Sequence, residues 1–219
     1  MANRKSTKKY FFSVEGETEH WYLKWLQDTI NHNEHAACKV SFDCPVQPDP
    51  KKRVKSITIT GKTDLWHIYD FESNSTEHTD RFKDVMDKMK QAESMGKQIT
   101  YRFGYSNLTF DLWIVLHKFD CYRSLAHRKY YLQYVNRAFQ VSFESMDEYK
   151  EERNFKYCLS KLELNDVIMA ITRAKHILKA NQDNGYTLYK YKGFEYYKEN
   201  PSLDIWKIIE QILSDCKLL

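Results

Sequence analysis

Glycine and proline are scarce in this chain, at 6 and 4 of 219 residues. That leaves little material for long flexible linkers, so the length implies one domain, or one domain with an elaborated lobe. No C-x-x-C pair occurs. The five cysteines are scattered and odd in number, which reads as reduced, mostly buried thiols rather than a disulfide framework. His32, His35, Cys38 and Cys44 come nearest to a zinc set, but their spacing matches no familiar one. No G-x-x-x-x-G-K-[ST] is present, so any use of ATP would come from a partner. No stretch approaches a membrane span, and the first residues lack the apolar core of a signal peptide. Cytoplasmic residence without membrane association is therefore expected.

What the chain does have is apolar and aromatic weight. Apolar residues make up 42% and aromatics 15%, with 16 tyrosines, enough for a sizeable core. The net charge of +4 permits nucleic-acid binding without demanding it. Its distribution is more telling. Arg4, Lys5, Lys8 and Lys9 form a basic arm; Lys51, Lys52, Arg53 and Lys55 form a second cluster. Arg123, His127, Arg128, Lys129 and Arg137 form a third, interleaved with tyrosines. Any one run is equally a solvated face. From these, Lys8, Lys51, Lys52, Arg53, Arg123, Arg128 and Lys129 are the candidate contacts to nucleic acid.

The acids are placed more pointedly. Tyr10-Phe11-Phe12-Ser13-Val14 is rich in strand formers and stops at Glu15-Gly16. Trp21, Tyr22, Trp25, Leu26 and Ile30 then recur at helical spacing. This is a strand, a tight turn and a helix, with Glu15 where the strand ends and Glu19 on the helix's first turn. Leu65-Trp66-His67-Ile68-Tyr69 is a second apolar strand, ending in Asp70-Phe71-Glu72. A third follows over residues 98–103, and Asp111 opens the apolar helix after it, with Thr109 as the expected N-cap and His117 at its far end. In open α/β sheets ligands gather at the carboxyl ends of strands. Three acidic clusters at element ends could converge on one or two hard divalent cations. Each acid alone has a plainer reading as a surface charge, and Asp111 as a complement to its helix dipole.

Alternating β and α patterns point to a parallel-rich sheet with right-handed crossovers. From Cys121 onward the pattern is mostly helical. It includes a long amphipathic helix through Leu178, an aromatic stretch from Tyr186 to Tyr197, and a final helix opened by Pro201 or Ser202. The aromatic stretch reads as core, a partner surface, or a base-stacking platform. Residues 1–120 are expected to form the catalytic core and 121–219 a helical region packed on it.

Glu15-Gly16 after one strand and Asp70-x-Glu72 after another resemble the TOPRIM core of topoisomerases, primases and OLD-type nucleases. The wider pattern resembles the RloB family, TOPRIM-like proteins found with bacterial restriction and abortive-infection systems. The matching residues are Glu15-Gly16-x-Thr18-Glu19-x-x-Tyr22, Asp70, and Ser106-Asn107-x-x-Phe110-Asp111-Leu112-Trp113-x-x-Leu116-His117. Ala170-x-x-Arg173-Ala174-Lys175 and Asn200-Pro201-Ser202 match further on. Asp70-x-Glu72 stands where the family usually has D-x-D, and Leu108-Thr109-Phe110-Asp111 where it usually has Pro-Cys-Phe-Glu. Both keep the carboxylate and change its reach by one methylene.

The resemblance implies a TOPRIM-like, Rossmann-like α/β fold, with a short helix near Val54–Ile59 where β-branched content alone says strand. It implies a nuclease of DNA or RNA, possibly tRNA, acting in anti-phage defence beside a companion ATPase of the SMC/ABC-like class. Glu15, Asp70 and Glu72 would hold Mg²⁺ or Mn²⁺, Glu19 and Asp111 would complete a second site, and His117 or an acid would move protons. Two other readings stand beside it: a catalytically silent TOPRIM-like subunit held or released by the ATPase, and, more weakly, a nucleotidyl or phosphoryl transferase on the same site.

Overall fold

The computed structural model describes residues 5–219. Four strands form one parallel sheet in the order β2-β1-β3-β4. They are β1 (Thr7–Val14), β2 (Lys39–Asp43), β3 (Thr63–Phe71) and β4 (Ile99–Asn107). The crossovers are helical: α1 (Glu17–His32), α2 (Pro50–Ser56) and α3 (Thr76–Glu93). The chain starts in the middle of the sheet, steps out to β2, then returns to build β3 and β4 on the other side. Strand order therefore reverses between β1 and β3. A crevice opens at the carboxyl ends of strands at such a point, and Glu15 and Asp70 stand there.

Period-two alternation sorts side chains to the two faces. Phe12, Val14, Trp66 and Ile68 pack with Tyr22, Leu23, Leu26 and Ile30 of α1. Leu65, Phe71, Tyr101, Phe103 and Tyr105 pack on the other face with α2 and with Phe82, Val85, Met86 and Met89 of α3. Asp49 caps α2 through the Lys51 and Lys52 N–H groups, and Pro50 fits its first turn. The stretch that β-branched content marks as strand is thus helical as far as Ser56.

The sheet edges are closed by side chains. At β2, Asn31 of α1 engages both the N–H and the C=O of Val40, at 2.8 and 2.9 Å. Gln27 accepts from the Phe42 N–H at 2.6 Å, and Lys24 donates to the Phe42 carbonyl at 2.8 Å. At β4, Glu93 accepts from the Tyr101 N–H at 2.7 Å. Such capping leaves little backbone free to pair with another chain.

After β4 come α4 (Asp111–Leu116), a 3-10 turn (Arg128–Tyr130), α5 (Tyr131–Phe139), α6 (Met146–Tyr149), α7 (Glu152–Ser160) and α8 (Leu164–Asp183). Phe155, Ala170, Ile171 and Ile208 join the same buried core as Phe12 and Tyr22. The aromatic stretch is an antiparallel hairpin of β5 (Leu188–Tyr191) and β6 (Phe194–Tyr197). Phe194 and Tyr196 are buried against Phe71, Phe82 and Phe103, so one face of the stretch is core, while Tyr186 and Leu188 stay exposed.

The last helix, α9 (Trp206–Asp215), starts later than Pro201 or Ser202. The intervening residues run along β4 instead: Ser106 bridges Leu203, and the Asp204 N–H donates to the Tyr105 carbonyl at 2.8 Å. Among the described residues no helix is long and apolar enough to cross a membrane.

Candidate active site

Four carboxylates come from four element ends. Glu15 follows β1, and its Oε2 accepts the Asp70 N–H at 3.0 Å. This ties the ends of β1 and β3 together. Asp70 Oδ2 in turn accepts the Phe110 N–H at 3.0 Å, which draws in the start of α4. The turn between β4 and α4 makes this possible because Leu108 takes a left-handed conformation, φ 67°. A buried leucine there is strained, a cost met at sites where geometry matters. Glu19 sits in the first turn of α1, where Thr18 donates to its Oε2 at 3.1 Å. A Cβ on residue 16 would stand 3.1 Å from that same oxygen, so Gly16 makes room for the carboxylate.

Asp111 is fully buried. The Thr109 hydroxyl donates to its Oδ2 at 2.7 Å. The same Thr109 oxygen accepts the Asp111 N–H at 3.4 Å, a long capping bond at the start of the helix, while Phe110 holds the position before Asp111 in helical conformation.

A residue that sequence reasoning did not find completes the group. Lys150 follows α6, and its Nζ lies 3.2 Å from Asp111 Oδ2. Its position is fixed by its neighbours. Ser145 caps α6, Asn154 donates to the Glu148 carbonyl at 2.8 Å, and the Tyr149 ring packs against Phe143 and Phe155. Nothing in the local sequence distinguishes this lysine, because what matters is the distant aspartate it meets. Tyr149 and Tyr131 were also missed. Both rings are fully buried, and burial first, with the charge of Asp111 among the further causes, pushes both hydroxyls well above the usual range.

The electrostatics follow from this crowding. Burial pushes Glu15 up to about 7, against the pull of the Asp70 N–H, and repulsion from Glu19 and Glu72 adds to the rise. Asp70 is pushed well above the carboxylate range, by burial first and then by Glu19 and Glu15. Glu19 is raised as well, chiefly by burial. Burial pulls the Lys150 ammonium down, but Asp111, Asp70 and Glu19 more than offset it, and its pKa is raised.

The fit to a divalent cation has two sides. The donors suit a hard ion, being carboxylate oxygens only. Asp70 and Asp111 each keep one buried oxygen, Oδ1, without a hydrogen-bond partner, which an apolar surrounding makes costly. A pocket of about 50 Å³ lined by Glu15, Tyr69, Asp70, Glu72, His78 and Arg81 has room for an ion and a water. Yet among the described residues no three His, Cys, Asp or Glu side chains stand ready to grip one ion. Carboxylate rotations would have to close the set.

Other expected site residues lie elsewhere or do other work. Glu72 is taken up by two side chains, the His78 ring through Nε2 and the Arg128 guanidinium through Nη1, each at 3.0 Å, rather than standing free as a ligand. His117 does not face the crevice. It is 1% exposed; its Nδ1 donates to the Trp113 carbonyl at 2.8 Å, which leaves Nε2 to accept the Tyr22 hydroxyl at 3.1 Å. Burial pulls its pKa down to about 4, so it is a neutral core residue and not a proton shuttle.

Arg53 is also a correction. It is 3% exposed, donates to the Phe12 carbonyl at 2.9 Å and pairs with Asp43 at 2.7 Å, so it is closed to nucleic acid. Lys8 pairs with Asp215 near the start of β1, about 20 Å along the strand from Glu15. Lys51 reaches Gln91 near the end of α3, also toward the amino ends of the strands, and Lys52 is exposed beside it. Arg123 and Lys129 are exposed, and Lys129 lies over the Tyr130 ring. Of the expected basic residues, Arg128 is the one brought to the acidic crevice, through Glu72. Arg4 lies outside the described residues. The histidine and cysteine set does not gather: His32 bonds the Asp28 carbonyl and Cys38 faces Cys216, with the sulfurs 3.4 Å apart.

The polar motif after β4 has a structural role. Asn107 donates its amide to the carbonyls of Tyr197, Lys198 and Glu199 at 3.0 to 3.1 Å. The Asn107 N–H donates to the Ser202 carbonyl, and the Ser202 hydroxyl meets the Tyr105 hydroxyl at 2.5 Å. Ser106-Asn107 and Asn200-Pro201-Ser202 are thus two halves of one seam.

Comparison with curated proteins and with solved structures finds no match for the chain. A family model does match, that of the RloB-like proteins, over residues 10–212. With the parallel sheet, the reversal between β1 and β3 and the acids at that reversal, the chain belongs to the RloB-like protein family.

Proposed function

We propose that the chain is a metal-dependent nuclease that hydrolyses phosphodiester bonds in DNA or RNA. One observation carries this reading. Glu15, Glu19, Asp70 and Asp111 are held together in a buried crevice at the topological switch point, with two oxygens left unpartnered. Like charges in so little water stay together at a cost unless a cation neutralises them.

Glu15, Glu19 and Asp70, with the free oxygen of Asp111, are the residues that would hold Mg²⁺ or Mn²⁺. When bound, such an ion would activate water and neutralise charge on the phosphate. The rest falls to the chain itself. The Asp70 N–H orients the Glu15 carboxylate, and the Phe110 N–H orients Asp70. Glu15 has a pKa of about 7 in the metal-free form, so an ion bound near neutral pH would displace a proton from it. Arg128, paired with Glu72, presents positive charge beside the crevice for the backbone of the substrate. The defence role, cytoplasmic residence and a companion ATPase of the SMC/ABC-like class complete the proposal and rest on the RloB resemblance.

A second reading, a TOPRIM-like subunit without chemistry, draws on the lack of a ready-made ligand trio among the described residues. One experiment separates the two. Purified protein is incubated with plasmid, single-stranded DNA and total tRNA, in Mg²⁺ or Mn²⁺ and in EDTA, with Asp70→Asn alongside. Cutting that needs metal and disappears in the variant is the expected result, and the pool that is cut identifies the substrate. No cutting together with no heat of Mn²⁺ binding by calorimetry would leave the subunit reading.

A further inference from the structure

A cavity of about 350 Å³ opens where the chain after α4 meets the end of α8 and residues 200–201. It shares no lining residue with the pocket at the acidic crevice. Ile177, Ala180 and Pro201 give it an apolar part. Tyr122 and Tyr186 also line it, and these rings are 45% and 41% exposed, open to a ligand. Arg123 lines it and is exposed. Asp120, the acid nearest to Arg123 in the sequence, is held by Arg173 at 3.1 Å, and Arg123 has no ion-pair partner among the described residues. Two amides complete the lining. Asn181 is 4% exposed and donates its amide to the Pro201 carbonyl at 3.1 Å, which leaves Oδ1 as the acceptor it offers. Asn200 is turned the other way. Its Oδ1 accepts the Leu125 N–H at 2.7 Å and the Ser124 hydroxyl at 3.1 Å, which leaves the amide protons as donors. These bonds fix the orientation of both groups.

We propose that this cavity binds a nucleotide. The base stacks on Tyr122 or Tyr186, its edge meets Asn181 Oδ1 and the Asn200 amide, and its phosphate lies on Arg123. Each part of the lining asks for a different part of that ligand. Tyrosine rings take the flat face of any base. An acceptor and a donor together suit the edge of a base, which carries both. A guanidinium without an acid partner suits a phosphate. The volume is that of a small-ligand site. The inference goes beyond the nuclease reading and does not depend on it, since it uses none of the acids and no metal. A free mononucleotide and one nucleotide of a bound strand present the same chemistry. Arg123 is five residues from Arg128, at most about 18 Å of extended chain, so a strand held at Arg128 reaches the cavity within a few nucleotides.

The test is run in EDTA, apart from any cutting. The full chain is titrated by calorimetry with the four ribonucleoside monophosphates and with inorganic phosphate. One nucleotide per chain is expected, bound at least about tenfold more tightly than phosphate alone. Ala180→Trp fills the cavity without removing any of the contacting groups and should abolish binding. Tyr122→Ala or Tyr186→Ala should weaken it about fivefold or more, and Arg123→Ala should leave the nucleotide no tighter than its nucleoside. All four positions are exposed, and circular dichroism checks that each variant folds. A short single-stranded oligonucleotide is then titrated into the parent and Ala180→Trp. Weaker binding by the variant assigns the cavity to the substrate strand. Loss of the mononucleotide alone assigns it to a free nucleotide, and either result upholds the site. Binding of none of the four monophosphates would overturn it. So would phosphate bound as tightly as nucleotide, or nucleotide binding that survives Ala180→Trp. None of these outcomes touches the nuclease reading, which stands or falls on cutting.

Discussion

Two buried polar clusters lie near the carboxyl ends of the strands, and they are built from different groups. In the seam between β4 and residues 197–202, the Asn107 amide, the Tyr105 hydroxyl and the Ser202 hydroxyl all have partners, while Ser106 Oγ and Glu199 Oε2 do not. In the crevice between β1 and β3, Asp70 and Asp111 each keep a buried oxygen with none, and the carboxylates of Glu15, Glu19 and Asp70 are pushed up by burial and by one another. Hydrogen-bonded neutral groups rigidify a fold, whereas crowded carboxylates with unpartnered oxygens subtract from it. The contrast separates the two halves of one motif. Asn107 and Asp111 are four residues apart; the one donates to three carbonyls across the seam, and the other keeps a buried oxygen without a partner.

The widest separation between the clusters should come from one exchange in each. Asp70→Asn should abolish cutting, by about 10³-fold or more, equal to roughly 4 kcal/mol of barrier. Its metal-free melting temperature should hold or rise, since a repelled carboxylate is removed. A marked fall in melting temperature would place Asp70 with the structural seam instead.

Asn107→Ala should do the reverse. It strands three carbonyls behind the hairpin and should cost about 2–4 kcal/mol, read from chemical denaturation. Stability within about 0.5 kcal/mol of the parent, a margin typical of exposed sites, would dissolve the distinction.

A subtler probe uses pH. Folding raises the pKa of Glu15 from its ordinary 4.5 to about 7, so the metal-free native state holds a proton that the unfolded chain gives up. Its share of stability is therefore present below pH 4.5 and lost as pH rises through 7. Glu15→Gln keeps an oxygen for the Asp70 N–H and should stabilise the metal-free protein by about 1–2 kcal/mol at about pH 8, a gain that fades as pH falls from 7 and is gone below 4.5.

His67 and His117 act in the opposite sense. Burial lowers them to about 3 and about 4, so their share is present above 6.5 and lost as pH falls toward those values. Melting temperature in EDTA should thus decline on both flanks, with only the alkaline flank relieved by the Glu15 variant. Equal relief on both flanks would contradict the assignment.

The smallest effect is expected at the rim. Arg128 is exposed and pairs with a partly exposed Glu72, so Arg128→Ala should change stability by less than about 1 kcal/mol. It should nonetheless weaken nucleic-acid binding and flatten its dependence on salt by about one charge. An unchanged salt slope would remove Arg128 from the interface.

Much of the crevice is legible in the amino-acid sequence. Glu15 and Asp70 each follow a run of strand formers, and the end of a parallel strand is a defined place in the fold. Glu19 is legible because it follows Glu15 by one helical turn. The role of Glu72 is less so: it ends the same strand, but His78 and Arg128 decide what it does. The expected basic patch disperses for the same reason. Arg53 looks like Lys51 and Lys52 in sequence, yet its place on α2 turns it inward onto Asp43. His117 sits in a motif with Asp111, but it lies at the other end of the helix, in the core.

Local patterning was therefore enough to specify the alternation of strands and helices, the parallel sheet and the acids at its strand ends. Periodicity is written in neighbouring residues, and these features depend on little else. Long-range packing settled the rest: Lys150, Tyr131 and Tyr149 lie near Asp111, and a hairpin with one buried face follows α8. These are meetings between segments far apart in the chain, fixed across the whole core. A lone lysine or tyrosine carries no mark of which distant carboxylate it will meet.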